Sequence, residues 1–364
     1  MKKVLVCVFL LLPLLADDNS FFAIVNAKSN DVTIIDTKNA NKHITIKNEN
    51  FNYPHRIAYG GGKFGVVSLF NNHIVLIDPQ DPQKVVTTIN ENGGDPGPIF
   101  FGGGYFVVSN QGNNLSFFRS DSPQKITTVQ LPDKSKIDAR SHVAYGAGLF
   151  AITNFDYENI VLIDINKPKE QTEVLNGHGI PSDVIFGGGY FAVLYQGSSN
   201  HSGRVVLFKP DDIENEIVIE DGRAQRPIGV GYGNGQFLVA NYWSNNVTLI
   251  DTKNPSNYQI SEPSDQMNFP NNATFGDGIF AVECAHEQHT VFIYPNNINN
   301  PKFMSDFYAS DPSNIAFGGG MFIVLNNETD NISLIPSTGK GIKNISDWKT
   351  KKKTAIAFSA DTHN

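Results

Sequence analysis

Cysteine is almost absent. Cys7 and Cys284 are the two in 364 residues, too few for a scaffold stapled by disulfides. Tryptophan also occurs only twice, at Trp243 and Trp348, so no WD-type repeat is built on it. Positive charge is in deficit: 28 Lys and Arg stand against 36 Asp and Glu, a formal net charge of -8. Phosphate backbones need a basic face, so this balance argues against a nucleic-acid partner. Beyond Leu15 no apolar run approaches the length of a membrane span. The chain contains no G-x-S-x-G, no phosphate-binding loop and no cysteine ligand cluster. Asp and Glu fall mainly in turns, so no carboxylate pair stands out, and nothing in the pattern calls for a metal or a cofactor. What is present is enough for a core, with 40% hydrophobic residues including 26 phenylalanines, and 32 glycines that follow no triplet period.

The first sixteen residues read as a secretory signal peptide. Lys2 and Lys3 precede the apolar run Val4 to Leu15, and Ala16 is small enough to stand before a cleavage point. Cleavage there removes both lysines, takes the formal charge from -8 to -10, and leaves Cys284 as the only cysteine. A secreted, extracellular protein is therefore expected, with residues 17–364 as its folded domain.

That domain is a repeat, the feature to seek before any other. Ile57-Ala58-Tyr59-Gly60-Gly61-Gly62-Lys63-Phe64 returns at Ile99 to Phe106, Val143 to Phe150, Val184 to Phe191, Val230 to Phe237, Ala273 to Phe280 and Ile315 to Phe322. In every copy an aromatic residue precedes the turn and a Phe follows five places later. The Phe positions 64, 106, 150, 191, 237, 280 and 322 lie 41 to 46 residues apart, the period of a propeller blade. Within one unit four short strands can be read: Ile57 to Tyr59, Phe64 to Val67, His73 to Ile77 and Val85 to Ile89. Glycine supplies the positive φ of the first turn. Asp36, Asp78, Asp164 and Asp251 follow third strands, where an Asx-turn would start the reversal.

The ends set the blade count. Phe22 to Asn26 matches the second strands Phe106 to Asn110 and Phe237 to Asn241, and lacks a first strand before it. The complement, Ala355 to Phe358, stands at the C-terminus. The fold class is thus all-β: a single β-propeller of eight four-stranded blades, with the first blade closed by the C-terminal strand so that no sheet edge stays open. A seven-blade ring with a loose N-terminal segment is the alternative.

The segment Phe237 to Thr252 (FLVANYWSNNVTLIDT) and the segment Phe22 to Thr37 resemble the YVTN-type β-propeller repeat. The resemblance extends more weakly through the rest of the domain. Its second-strand Asn is kept at Asn26, Asn110, Asn154, Asn241 and Asn326, and is replaced by Ser68, Tyr195 and Cys284. The resemblance implies a propeller, often in an extracellular or cell-surface setting, but no single activity.

In such a ring the fourth-to-first and second-to-third loops share one face. These loops vary here while the Gly turns do not, and variable loops on a rigid frame are where binding residues gather. His55, Arg56, His142, Asp183, Arg226, Asn272 and Asn314 enter the first strands and would ring the channel mouth. Two arginines and two histidines would suit an anionic or carbohydrate ligand, but polar residues that simply line a wet channel account for the same pattern and are the first reading. Tyr242 and Trp243 break the repeat pattern in a second-to-third loop and suit protein or sugar contact, or packing on the next blade. His286-Glu287-Gln288-His289 has its histidines three apart at a hairpin turn, which reads as an exposed loop rather than the helical zinc motif. Cys284 fills an Asn slot and reads as packed rather than nucleophilic.

Asn-x-Ser/Thr sequons, candidate glycosylation sites, occur at Asn114, Asn200, Asn246, Asn272, Asn327, Asn331 and Asn344. Asn114, Asn246 and Asn331 share one slot and also follow from the repeat itself. The resulting expectation is a monomeric binding scaffold that contacts a protein or carbohydrate ligand through its variable face. A lactonase-like hydrolase at the channel mouth, using His55, Arg56, His142, Asp183 and Arg226, is the alternative.

Overall fold

A computed structural model describes residues 20–39, 43–89, 96–110, 113–131, 137, 140–167, 171–174, 177–197, 203–285, 289–305, 312–326, 328–345 and 353–359. The expected signal peptide lies outside these residues. So do Asn200, Asn327, His286 and most of the loop after Gly197.

The described residues form eight four-stranded antiparallel sheets and no helix. In the first sheet the order from the channel outward is Lys353–Phe358, Phe21–Asn26, Asp31–Asp36 and His43–Lys47. The other seven run in chain order, their inner strands being Pro54–Gly60, Ile99–Gly102, Val143–Gly146, Pro181–Gly187, Pro227–Gly233, Pro270–Gly276 and Pro312–Gly318. Each inner strand lies beside the next one, and Lys353–Phe358 lies beside both Pro312–Gly318 and Pro54–Gly60. The ring is an eight-bladed β-propeller whose first blade is closed by the C-terminal strand.

The second strands are buried along almost their whole length, because each is covered on both faces by a neighbouring blade. The core is accordingly divided into eight clusters, each at one interface between blades. Ala23, Val25 and Val32 meet Ile57, Phe64 and Val66 at one of them. Ile323 and Leu325 meet Phe22 and Ile24 where the ring closes.

The repeated aromatic–glycine–Phe pattern makes the blade-to-blade joint. The aromatic before each turn packs on the Phe after it, from Tyr59 on Phe64 at 4.8 Å between centroids to Phe358 on Phe22 at 4.9 Å. The first glycine, Gly60, is not a positive-φ residue; a Cβ there would fall 1.9 Å from Phe101 of the next blade. The same clash is met at Gly102, Gly146, Gly187, Gly233, Gly276 and Gly318. The turn glycines are expected to supply positive φ. Gly61 and Gly62 do so, whereas Gly60 clears space for an aromatic ring.

The third-strand aspartates form Asx-turns, accepting from the backbone N–H two residues on: Lys38 to Asp36 at 2.8 Å, Gln80 to Asp78 at 2.9 Å, Asn166 to Asp164 at 2.8 Å and Lys253 to Asp251 at 2.9 Å. The inner strands start earlier than the hydrophobic pattern suggests, at Pro54, Pro181, Pro227, Pro270 and Pro312. Proline is tolerated as the first residue of a strand. A register shift follows each of these prolines.

Candidate functional site: the channel mouth and the loop face

The register shift sets one residue per blade at a common level. Arg56, Asp183, Gly229, Asn272 and Asn314 are the first paired residues after it. His142 holds the same place in the fourth blade, where its N–H donates to Thr153 Oγ1 at 2.7 Å. Pro98 opposite Ser109 and Ala355 opposite Val25 complete the ring. The side chains at this level differ in every blade but two, on a backbone that repeats.

A cavity of about 300 Å3 opens at this level. Arg56, His142, Ser141 and Asn314 supply its polar lining, and Phe100, Phe101, Ile99 and Ile356 much of its apolar wall. Asp183 pairs with His142 from the next blade, Oδ1 lying 2.9 Å from Nδ1. The same carboxylate accepts the N–H of Val184 at 2.8 Å. Burial alone would lower the His142 pKa and Arg56 adds to that, but the charge and hydrogen bond of Asp183 prevail and raise it. The imidazole is half exposed to the channel. Arg56 loses hydration and its pKa falls; its guanidinium donates to the His55 carbonyl at 3.2 Å.

His55 does not join this group. It is 7% exposed, neither ring nitrogen has a hydrogen-bond partner, and it is absent from the cavity lining. Burial and the adjacent Arg56 outweigh the pull of the Val67 backbone and lower its pKa to about 4, so the ring is neutral at physiological pH.

Arg226 also stands apart from the channel. Its backbone is left-handed (φ 54°) ahead of Pro227, and its guanidinium lies 4.9 Å from the ring centroids of both Tyr242 and Trp243. The Tyr242 N–H donates to the Arg226 carbonyl at 3.0 Å, and the Trp243 N–H to that of Gln225 at 3.2 Å. Tyr242 leans on Phe269 at 4.9 Å. Trp243 remains 47% exposed. A related pairing joins Phe155, legible in the sequence as a second-to-third loop aromatic, to Arg140, which was not, 4.1 Å apart, with Asp156 2.8 Å from the guanidinium. Phe70 and Tyr157, exposed in equivalent loops, extend the aromatic character of this face. Only their loop position signals such residues in the sequence.

The shared-slot sequons have a structural explanation. Asn241 Nδ2 donates to Asn246 Oδ1 and Thr248 Oγ1, both at 2.9 Å. Asn110 does the same to Asn114 and Ser116, and Asn326 to Asn331 and Ser333. The Asn and the Ser or Thr of the sequon are thus the two acceptors of a second-strand amide. Asn246 and Asn331 are buried. Asn272 and Asn344 are partly exposed, Asn272 Oδ1 accepting from the Ala273 N–H at 2.9 Å. Cys284 is packed in the core between the sixth and seventh blades. His289 contacts the Gln266 carbonyl and the Phe303 ring. Among the described residues, no three His, Cys, Asp or Glu side chains converge as a metal site would require.

No protein-family model matches this chain, and no curated protein does. Solved structures do. AztD from Citrobacter koseri superposes with a TM-score of 0.66 at 13% identity, over 94% of this chain and 98% of that one. The dihydro-heme d1 dehydrogenase NirN gives 0.69 at 14%, over 92% and 74%. Virginiamycin B lyase from Staphylococcus aureus gives 0.58 at 15%, over 77% and 94%. At such identities the likeness is one of fold. The chain shares the β-propeller with proteins of unlike activity.

Proposed function

We propose that this protein is an exported propeller that binds an extracellular protein or glycan through its loop face. The observation that carries this reading is Arg226 lying over the rings of both Tyr242 and Trp243, 4.9 Å from each centroid, with Trp243 still open to solvent. Trp, Tyr and Arg are the residues that dominate binding energy at interfaces. Here the arginine is held in place before any ligand arrives, which lowers the ordering cost of association. Export rests on the sequence of residues 1–16. The YVTN-type assignment rests on the residues from Phe237 to Thr252.

The test is a Tyr242→Ala/Trp243→Ala double variant, folded by circular dichroism, compared with wild type on a glycan array and in pull-down from extracellular fluid. Partner capture is expected to drop at least tenfold. Unchanged capture would count against the reading. Sequencing the secreted protein from its N-terminus checks export, with Asp17 expected first.

The His142–Asp183 pair favours one second reading, hydrolysis of a lactone at the channel mouth. Asp183 orients the imidazole through Nδ1, which leaves Nε2 to take a proton from an attacking water. Arg56 would then face the developing negative charge. Turnover of gluconolactone that disappears in His142→Gln would support this reading, and its absence from wild type would end it.

A further inference from the structure

The channel is not a uniform hole. On one side two glycines let the inner strands of the sixth and seventh blades approach each other backbone to backbone. A Cβ on Gly229 would fall 2.2 Å from the Asn271 carbonyl oxygen, and one on Gly231 would fall 3.0 Å from that of Ala273. The space lies opposite, against the inner strands of the eighth, first, second, third and fourth blades. Its volume, about 300 Å3, is at the lower end of the range of small-molecule sites.

We propose that this cavity is a binding site for a small ring-bearing monocarboxylate, its carboxylate held by Arg56 and His142 and its ring against Phe100, Phe101 and Ile356. Three observations favour an anion over a cation or a neutral sugar. Among the described residues no carboxylate lines the cavity, and Asp183, beside it through His142, is already occupied by His142 and the Val184 N–H. The two side chains that do face the space and can carry charge are both cationic types. They are near enough for the charge of Arg56 to act on His142, so an anion relieves their mutual repulsion. The apolar walls then select an anion with a hydrophobic body, and the planar fork of Arg56 suits a carboxylate.

This site is separate from the loop-face contact and does not depend on it. The experiment is calorimetric titration of the full secreted protein with benzoate, with benzamide and acetate as controls. Wild type is expected to bind benzoate saturably, and at least tenfold more tightly than benzamide (charge removed) or acetate (ring removed). Arg56→Met should abolish that preference. Asn314→Phe, which fills the cavity while sparing both cations, should weaken benzoate at least tenfold. Trp243→Ala should bind benzoate like wild type, which separates the channel from the loop face. No saturable benzoate binding by wild type, or equal binding of benzoate and benzamide, overturns the proposal. So does unchanged binding in a folded Asn314→Phe variant.

Discussion

Asn241 shows what one side chain does in this fold. Its amide donates to two buried acceptors on the adjoining strand; removing it takes that donor from Thr248 Oγ1 and leaves Asn246 Oδ1 with the Ser244 hydroxyl alone. Asn241→Ala should cost about 1–3 kcal/mol, read as a lower urea midpoint. The same geometry bears on glycosylation. A glycan on the Asn246 or Asn331 amide has no room where those side chains are buried, so peptide mapping of secreted protein should find both unmodified. His55 gives a second test. Its pKa is lowered to about 4 in the fold and is near 6.5 when unfolded, so between those values the unfolded chain holds the extra proton. Stability therefore falls as pH drops below 6.5, by on the order of 2 kcal/mol at pH 5. His55→Phe should unfold with less acid sensitivity than wild type over that window. His142 acts with the opposite sign. Its raised pKa gives stability that is present below pH 6.5 and lost as pH rises through the folded value.

A blade is an element that cannot stand alone, and its glycine turn shows why. Gly60 and Gly62 look alike in the sequence but are under different constraints. A Cβ at Gly62 meets nothing within 4 Å, and the obstacle is a φ of 76°. Gly62→Ala should therefore cost about 1–2 kcal/mol. Gly60→Ala drives a methyl into the root of the Phe101 ring and should exceed the usual overpacking range of about 1–3 kcal/mol. A Gly60→Ala/Phe101→Ala double variant should be less damaged than the two single costs summed. Thermal or urea unfolding of the four proteins checks this. The turn itself was legible, because glycine beside an aromatic recurs every blade. The steric role of Gly60 was not, because Phe101 is 41 residues away and the contact crosses between sheets.

The whole molecule depends on its two ends meeting. The Ser359 N–H donates to the Phe21 carbonyl at 2.8 Å, the Phe21 N–H donates to Ser359 Oγ at 2.6 Å, and Phe358 packs on Phe22. Stopping the chain after residue 352 should expose Phe21–Asn26 as an open edge and uncover part of two core clusters. Light scattering should then show self-association, and the melting temperature should fall by more than any single substitution named above. A monomeric truncated protein as stable as wild type would mean the ring does not need its last strand.

By itself the sequence determined the repeat, the eight blades, the split first blade and the Asx-turns, because each is written in local spacing that recurs. Arg56, His142 and Asp183 were also legible as residues at strand starts, since the repeat assigns every position a level. Which of them meet was decided only in three dimensions. His55 and Arg56 are adjacent in the chain, yet one is buried without a partner and the other lines the channel. His142 and Asp183 are 41 residues apart and lie 2.9 Å from each other. A register shift of one residue and the side chains of neighbouring blades make that choice, and neither is carried by the spacing of the repeat.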